Sequence, residues 1–297
     1  MEIIYSTEKM RLLARAWHER GRVAVVPTMG YLHAGHASLM GWGRRNADRL
    51  TVSIFVNPTQ FGPHEDLGRY PRDLERDASL CRDIGVDALF VPEAAEMYPP
   101  GYQTWVRVEG LSQGLCGAAR PGHFRGVATV VLKLLNIISP QLAVFGLKDY
   151  QQYLLIRRMV ADLNLGVQIV GRPTVREEDG LAMSSRNACL SPQERTQARV
   201  LSQALRWAQQ MYDAGERDAA EMAARLRELI AAQPAVRLEY LAFQDPETLQ
   251  PVEQIASTTL LALAAFVGAT RLIDNTLLAP SGAAEGERFL SGAANHP

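Results

Sequence analysis

The chain reads Val23-Ala24-Val25-Val26-Pro27-Thr28-Met29-Gly30-Tyr31-Leu32-His33-Ala34-Gly35-His36 near its amino end, a short apolar run that leads directly into a turn. Apolar, mostly β-branched residues in succession are typical of a strand covered on both faces of a parallel sheet. An apolar and small-residue pattern resumes after this stretch and predicts a helix. The order of strand, glycine-containing turn and helix predicts the opening unit of an α/β sheet.

The same rhythm continues to about residue 170. Further apolar runs predict strands at 50–56, 88–91, 142–145 and 167–170, and amphipathic stretches predict helices at 73–84, 127–138 and 150–163. We therefore predict that residues 1–173 form a Rossmann-like domain with a doubly wound parallel sheet.

The pattern changes after Pro173. Long charged helical patterns occupy 192–213 and 218–232, and apolar strand patterns follow at 238–243, 258–266 and 270–273. We predict a smaller α+β domain over 174–280, with helices packed on antiparallel strands. Residues 281–297 are rich in Gly, Ala and Ser without periodicity, which predicts a flexible tail.

Composition and charge argue against several classes of protein. The 297 residues carry 31 Lys and Arg against 32 Asp and Glu, so no basic field attracts nucleic acid. Apolar runs such as 260–267 are shorter than the roughly 20 residues of a membrane span, and the first eight residues do not resemble a secretory signal. The three cysteines lack zinc or redox spacing. We predict a cytoplasmic protein that binds neither nucleic acid nor membrane.

The two histidines His33 and His36 stand where the first strand feeds the first helix. Ligands bind at the carboxyl ends of the strands in such sheets, and a helix N-terminus offers N–H groups to phosphate. Glycines at positions 30 and 35 let the backbone approach a nucleotide closely. The pattern predicts a phosphate site. The alternatives are ordinary loop histidines or a metal site, although no third ligand stands at a suitable spacing.

Later segments offer further binding groups, and each also has an ordinary structural explanation. Residues 184–186 form either an anion clamp or a helix cap. Residues 148–149 contact phosphate and ribose, or are a solvated pair at a helix start. Asn57 and Gln60 bind a small hydroxy acid or amine, or belong to an Asn-Pro turn. The basic loop 120–126 has the same ambiguity and receives less weight.

In combination, these motifs resemble the pantothenate synthetase family, which belongs with the HIGH-type nucleotidyl transferases. The matching segments are 27–36, 55–62, 120–126, 145–152 and 183–187, in that order, and the likeness extends to 270–275. The resemblance implies a ligase that condenses (R)-pantoate with beta-alanine, using ATP and Mg²⁺. The products would be pantothenate, AMP and pyrophosphate, formed through a pantoyl-adenylate by a homodimer.

The resemblance also implies a role for each matching residue. The catalytic residues would be His33, His36, Lys148 and Arg186, with His36 usually assigned as the acid. ATP would be bound by Met29, Gly30, Tyr31, Leu32, His33, Ala34, Gly35, His36, Gly146, Leu147, Lys148, Asp149, Val175, Met183, Ser184, Ser185 and Arg186. Gln60 and Gln152 would bind pantoate, Asn57 and Gln60 would lie near beta-alanine, and Asp77 would hold magnesium.

Two positions depart from the family pattern, and two rival functions compete with it. Leu147 stands where an acidic or polar residue is common, and Cys116 stands where many members have Glu. One rival is another enzyme with an HxGH motif, such as a dinucleotide-forming transferase or an aminoacyl-tRNA synthetase relative. The other is a catalytically silent nucleotide sensor, which would lack a phosphate ligand. Because the motifs fall on both sides of the domain boundary, we also predict that the smaller domain closes over the site.

Overall fold

The computed structural model describes residues 1–63 and 65–279, and its first unit is built on a parallel sheet. The strands are β1 (Glu2–Ile4), β2 (Val23–Thr28), β3 (Arg49–Ile54), β4 (Ala88–Phe90), β5 (Leu142–Gly146) and β6 (Gln168–Arg172). Their order is β1-β4-β3-β2-β5-β6, with all pairs parallel. The predicted Rossmann-like sheet is confirmed.

The strand order fixes where a ligand crevice lies. From β2 the chain moves outward to β3 and β4, and it then returns to place β5 on the other side of β2. In open α/β sheets the crevice opens at the carboxyl ends of the two strands where the order reverses. These are the ends of β2 and β5, which lead into residues 29–36 and 147–149.

Helices connect and cover these strands. They are α1 (Thr7–His18), α2 (Ala34–Asn46), α3 (Leu74–Ile84), α4 (Ala94–Met97), α5 (Cys116–Ala119), α6 (His123–Ile138) and α7 (Tyr150–Asp162). Neither β1 nor α1 was predicted, because three residues carry no readable strand pattern, and α1 buries only Met10, Ala14 and Trp17.

The core explains why β2 has a readable sequence pattern. Residues 23–26 are fully buried on both faces of the sheet. On one face, Ala24 and Val26 pack with Leu39 and Met40 of α2 and with neighbouring strands. This packing holds α2 against the sheet and places its first turn beyond the end of β2.

The second unit has its own three-stranded antiparallel sheet. The strands β7 (Val236–Gln244), β8 (Thr259–Val267) and β9 (Thr270–Leu278) pair in that order. Helices α8 (Pro192–Ala198), α9 (Val200–Asp213) and α10 (Ala219–Ala231) contribute to an apolar core with one face of this sheet. The predicted α+β arrangement is confirmed, but the single helix expected over 192–213 is two helices that meet at Arg199.

Contacts divide the chain into two compact units. The first comprises Met1–Ser112, Arg120–Leu147 and Gln152–Arg172. The second comprises the chain from Pro173 onward together with two earlier segments, Gln113–Ala119 and Lys148–Gln151. The predicted tail at 281–297 lies outside the described residues. Among the helices of the described ranges, none is long and apolar enough to cross a bilayer.

Candidate active site

In the first unit, the two histidines of the HxGH segment form the N-terminal cap of α2. Nδ1 of His33 accepts from the N–H of Gly35 at 3.1 Å, and Nδ1 of His36 accepts from the N–H of His33 at 3.3 Å. Their ring centroids lie 4.1 Å apart. The capping explanation and the phosphate-site explanation are compatible, because the cap uses only one nitrogen of each ring.

The cap also determines the tautomer of each imidazole. A neutral ring whose Nδ1 accepts a hydrogen bond carries its proton on Nε2. Both His33 and His36 therefore present an Nε2–H donor. Two such donors on the first turn of a 13-residue helix, at the reversal point of the sheet, suit an anionic ligand.

A buried carboxylate on α3 holds the loop that precedes α2. Asp77 is 1% exposed, and its two oxygens accept from the N–H groups of Tyr31 and Leu32, each at 2.7 Å. Burial raises the pKa of this carboxyl above its ordinary value, although the two backbone hydrogen bonds oppose that shift. Arg76 adds a hydrogen bond to the Leu32 carbonyl at 3.2 Å.

The loop needs this support because its backbone is unusual. Gly30 and Tyr31 both have positive φ, +85° and +50°, and only glycine adopts such values without cost. A Cβ at Gly30 would also lie 2.9 Å from Cγ2 of Ile54. Since the N–H groups of Tyr31 and Leu32 already donate to Asp77, any contact of these two residues with a nucleotide must come from other atoms.

The Asn57–Gln60 turn after β3 is organised from within. The Asn57 side chain is 1% exposed; its Nδ2 donates to Gln60 Oε1 at 3.0 Å and to the Gly126 carbonyl at 3.2 Å. Its Oδ1 accepts from Thr59 and from the Tyr98 hydroxyl. Gln60 in turn lies against Met29 Sδ, with Nε2 at 3.2 Å. Asn57 thus orients Gln60.

The loop 120–126 anchors the same turn, which gives it more importance than its sequence suggested. A ring nitrogen of His123 lies 2.9 Å from the Gln60 carbonyl oxygen, and Arg120 contacts the other ring nitrogen at 3.0 Å. Arg120 also pairs with Glu65 at 2.6 Å. Burial favours a higher pKa for Glu65, but the hydrogen bond and charge of Arg120 outweigh it and hold that pKa below its ordinary value.

The carboxyl end of β5 contributes Gly146 and Leu147 to the first unit. Leu147 is buried, and it packs so closely on Gly171 of β6 that an added Cβ would lie 2.7 Å from its Cδ2. Leu147, which departs from the polar residue common in the family, therefore packs in the interior of the first unit. Gln152 lies half-buried on the first turn of α7.

The remaining predicted residues belong to the second unit. Ser184 Oγ accepts from the N–H of Arg186 at 3.3 Å, so it caps the short 3₁₀ turn that follows. The Met183 N–H donates to the Val175 carbonyl at 3.0 Å. Lys148 and Asp149 join this unit through the segment Lys148–Gln151. The structure thus groups Lys148, Asp149, Val175 and Met183–Arg186 in one compact unit.

Comparison with known sequences identifies close relatives. Residues 2–277 match the family model described as pantoate-beta-alanine ligase. A pantothenate synthetase from Pelobacter propionicus is 54% identical over 279 residues, which cover 94% of this chain and 98% of that protein. One from Geobacter sulfurreducens is 55% identical, with 94% of this chain and 99% of that protein covered.

Solved structures give the same result. The crystal structure of a pantothenate synthetase from Thermus thermophilus matches with a TM-score of 0.90 and 48% identity, covering 94% of this chain and all of that one. The structure of a pantoate-beta-alanine ligase from Francisella tularensis, complexed with beta-gamma ATP and beta-alanine, matches with a TM-score of 0.78. It is 33% identical, and the match covers 93% of this chain and 97% of that one.

Proposed function

Because the chain belongs to the pantoate–beta-alanine ligase family, we propose that it condenses (R)-pantoate with beta-alanine to pantothenate. ATP is the co-substrate, AMP and pyrophosphate are the other products, and a pantoyl-adenylate is the intermediate. The observation that carries the assignment of the site is the His33–His36 cap, which sets both rings in the Nε2–H form at the start of α2, beyond the end of β2.

In the first step, the pantoate carboxylate attacks the α-phosphorus of ATP, and negative charge spreads over the phosphoryl oxygens as pyrophosphate leaves. Donors held in place before the reaction stabilise such charge without reorganising. From the first unit we assign this role to His33 and His36, with His36 as the acid. From the second unit we assign it to Lys148, Arg186 and the serines at 184 and 185.

Nucleotide contacts beyond the phosphates follow the same segments. Met29 to His36 contact the phosphate groups of ATP. The Tyr31 and Leu32 N–H groups are excluded from these contacts because they donate to Asp77. Gly146 to Asp149 bind ribose and phosphate. Val175 binds adenine beside Met183, to which it is hydrogen-bonded.

Pantoate is bound by Gln60 and Gln152, whose amides donate to and accept from a hydroxy acid without adding charge. Asn57 was predicted to lie near beta-alanine. Its polar side-chain atoms are engaged by Gln60, Gly126, Thr59 and Tyr98, so we assign it the additional role of orienting Gln60.

Magnesium fits this chain as a partner of the nucleotide. Among the described residues, no group of three or more His, Cys, Asp or Glu side chains could hold a metal ion. Mg²⁺ commonly takes one or two carboxylates together with substrate phosphates and water. Asp77 is the candidate carboxylate, and the ion would neutralise charge on the triphosphate when bound.

In the second step, the neutral amine of beta-alanine attacks the activated carbonyl and AMP leaves. Water would hydrolyse the adenylate, so the intermediate must be shielded until the amine arrives. We therefore propose that the C-terminal domain closes over the site.

We also propose a cytoplasmic homodimer. All three cysteines, Cys81, Cys116 and Cys189, are free thiols, which fits a reducing compartment, and ATP is a cytoplasmic substrate. Charge balance gives no reason to expect nucleic acid or membrane partners.

Isotope exchange between pyrophosphate and ATP tests the proposed reaction. We expect exchange with pantoate present and beta-alanine absent, because adenylation is reversible on the enzyme. Net AMP formation should then require beta-alanine. Exchange without pantoate would overturn the acyl-adenylate assignment, and steady AMP formation without beta-alanine would overturn the ligase assignment.

Replacing Gly126 with alanine tests how pantoate is selected. An added Cβ would lie 2.5 Å from the Thr59 carbonyl oxygen and 2.7 Å from Gln60 Cα, so the backbone of the turn must move. We expect KM for pantoate to rise roughly tenfold, since small displacements of positioning groups cost about 10- to 100-fold. We expect a loss of about 1–3 kcal/mol in the free energy of unfolding, typical of overpacking.

Gly41→Ala is the matched control for this variant. Gly41 lies inside α2, where an added Cβ would meet only the flexible end of Arg45 at 3.4 Å. Alanine there should stabilise the helix by up to about 1 kcal/mol and leave KM unchanged. An unaltered KM for pantoate in Gly126→Ala would refute the role given to this turn.

A further inference from the structure

The polar residues of β9 have no role in the mechanism so far, although 270–275 is part of the family resemblance. Successive side chains of a strand point to opposite faces. Arg271 and Asn275 therefore share one face of β9, while Asp274 lies on the face that packs with the helical core beside Leu272 and Leu278. Each of these polar residues contacts a different segment of the second unit.

Asn275 holds the main chain at Lys148. Its Nδ2 donates to the Lys148 carbonyl oxygen at 2.8 Å, across 127 residues of sequence. A second tie lies two residues further on, where the Tyr150 hydroxyl donates to the Pro246 carbonyl at 3.1 Å. Both bonds join the segment Lys148–Gln151 to other parts of the second unit, to which this segment belongs.

Asp274 holds the turn that presents residues 183–186. Its side chain is 1% exposed and accepts from Nη1 and Nη2 of Arg176 at 2.7 and 3.1 Å. Arg176 also donates to the Gly180 carbonyl at 3.2 Å and forms a β-bridge with Ala182. The paired geometry fixes the guanidinium plane and, through the bridge to Ala182, the backbone that leads into Met183.

Arg271 secures a third segment on the same face as Asn275. It donates to Glu239 Oε2 at 3.0 Å from Nε, and its Nη2 lies 3.5 Å from Cys116 Sγ. The Cys116 thiol in turn lies 3.1 Å from the Tyr240 hydroxyl. Burial raises the pKa of Tyr240 well above its ordinary value, so the Tyr240 hydroxyl stays protonated. Arg271 and Tyr240 thus hold α5 against the sheet. Asp274 and Asn275 contact the segments to which we assign phosphate binding.

We propose that Asp274 and Asn275 are positioning residues that fix the main chain of Lys148 relative to the segment 183–186. Neighbours on one strand move together, so one rigid element sets the spacing of both cationic groups. The proposal rests on the phosphate roles given above to Lys148 and Arg186. It adds that β9, which contributes no ligand itself, determines how those residues meet the triphosphate.

The hydrogen-bond pattern separates this role from general stability. The β9 ladder with β8 runs unbroken from Thr270 to Leu278, and it uses main-chain atoms. The Asn275 side chain is half-buried and lies outside the apolar core. Its removal leaves the ladder and the core in place, so the loss should appear in catalysis rather than in unfolding.

The test compares Asn275→Ala with Thr276→Ala in the full-length enzyme. Thr276 follows Asn275 on β9 and is half-buried. We expect Asn275→Ala to lower kcat/KM for ATP in pyrophosphate exchange about tenfold, as expected for a small displacement of a catalytic group. We expect Thr276→Ala to leave it unchanged. Both should show similar thermal unfolding, and an Asn275→Ala effect on unfolding alone would overturn the proposal.

A double-mutant cycle with Lys148→Ala supplies the readout that a merely structural role would not move. If Asn275 acts through Lys148, Asn275→Ala should cause no further loss in the Lys148→Ala background. An undiminished tenfold loss there would refute the inference. Full activity of Lys148→Ala would instead refute the proposed role of Lys148, so the two failures are distinguishable.

The role of Asp274 is tested by changing its partner Arg176, because removing the buried carboxylate would leave the Arg176 guanidinium without its counter-ion. Arg176→Lys keeps the charge but cannot form the paired hydrogen bonds. We expect a severalfold loss of kcat/KM for ATP that disappears in an Arg186→Ala background. Independent, additive losses would overturn the positioning role proposed for Asp274.

Discussion

Replacing His36 with alanine is expected to lower the rate of adenylation by about 10²- to 10³-fold, the usual cost of removing one donor that stabilises transition-state charge. The His36 Nδ1 accepts from the His33 N–H, so the ring carries its proton on Nε2, and that N–H is the group we assign to phosphate. Pyrophosphate exchange at saturating pantoate and ATP measures this loss directly. Loss of the cap should also cost about 0.5–2 kcal/mol of stability.

Asparagine and glutamine at position 36 separate the two functions of the ring. His36→Asn keeps a polar acceptor near Nδ1, so it should restore stability without restoring the rate. His36→Gln places an amide N–H nearer to Nε2 and should recover part of the rate. A His36→Asn enzyme with normal exchange would contradict the Nε2–H assignment and leave His36 with a capping role alone.

The sequence predicted the parts of this site that depend on local pattern. The run Val23–Thr28, the turn and α2 are adjacent in sequence, and burial on both faces gave β2 a readable signature. The HxGH spacing likewise predicts that the two histidines lie together, because residues three apart on a helical turn share a face. Such features require no knowledge of distant contacts.

The parts that were missed depend on partners far away along the chain. Asp77 reaches the loop from 45 to 46 residues away, and the sequence around it shows only an acidic residue in the first turn of a helix. Lys148 joins the second unit through Asn275, which no periodicity could reveal. The break at Arg199 was hidden because the helical pattern continues through it.

Asp77 also shows how a family-based role and a structural role can coincide at one carboxylate. The resemblance implies magnesium, whereas the structure adds two backbone hydrogen bonds to a loop with two positive φ values. Both roles require a carboxylate at this position. They differ in what its removal does, and a single substitution separates them.

Replacing Asp77 with asparagine is expected to destabilise the protein by about 1–3 kcal/mol, the cost of a buried N–H that loses its acceptor. The amide has one acceptor oxygen, so its NH₂ group must face either the Tyr31 or the Leu32 N–H. The freed loop should also relax from its strained backbone, which would misplace the His33 cap and lower the exchange rate more than about tenfold. Urea unfolding and pyrophosphate exchange measure the two effects.

The dependence of exchange on magnesium concentration distinguishes a loop clamp from a metal ligand, and Asp73→Asn provides the control. Asp73 and Asp77 both line a cavity of about 520 Å³ in the first unit, next to Gly30 and Tyr31. Asp73 also caps α3 by accepting from the Arg76 N–H, which asparagine does equally well. Asp73→Asn should therefore leave the free energy of unfolding and the rate of pyrophosphate exchange nearly unchanged. If Asp77 acts mainly on the loop, Asp77→Asn should keep the wild-type half-saturating magnesium concentration, and added Mg²⁺ should not restore the rate. Recovery of the rate at high Mg²⁺, with unfolding close to wild type, would show that the carboxylate acts on the ion instead.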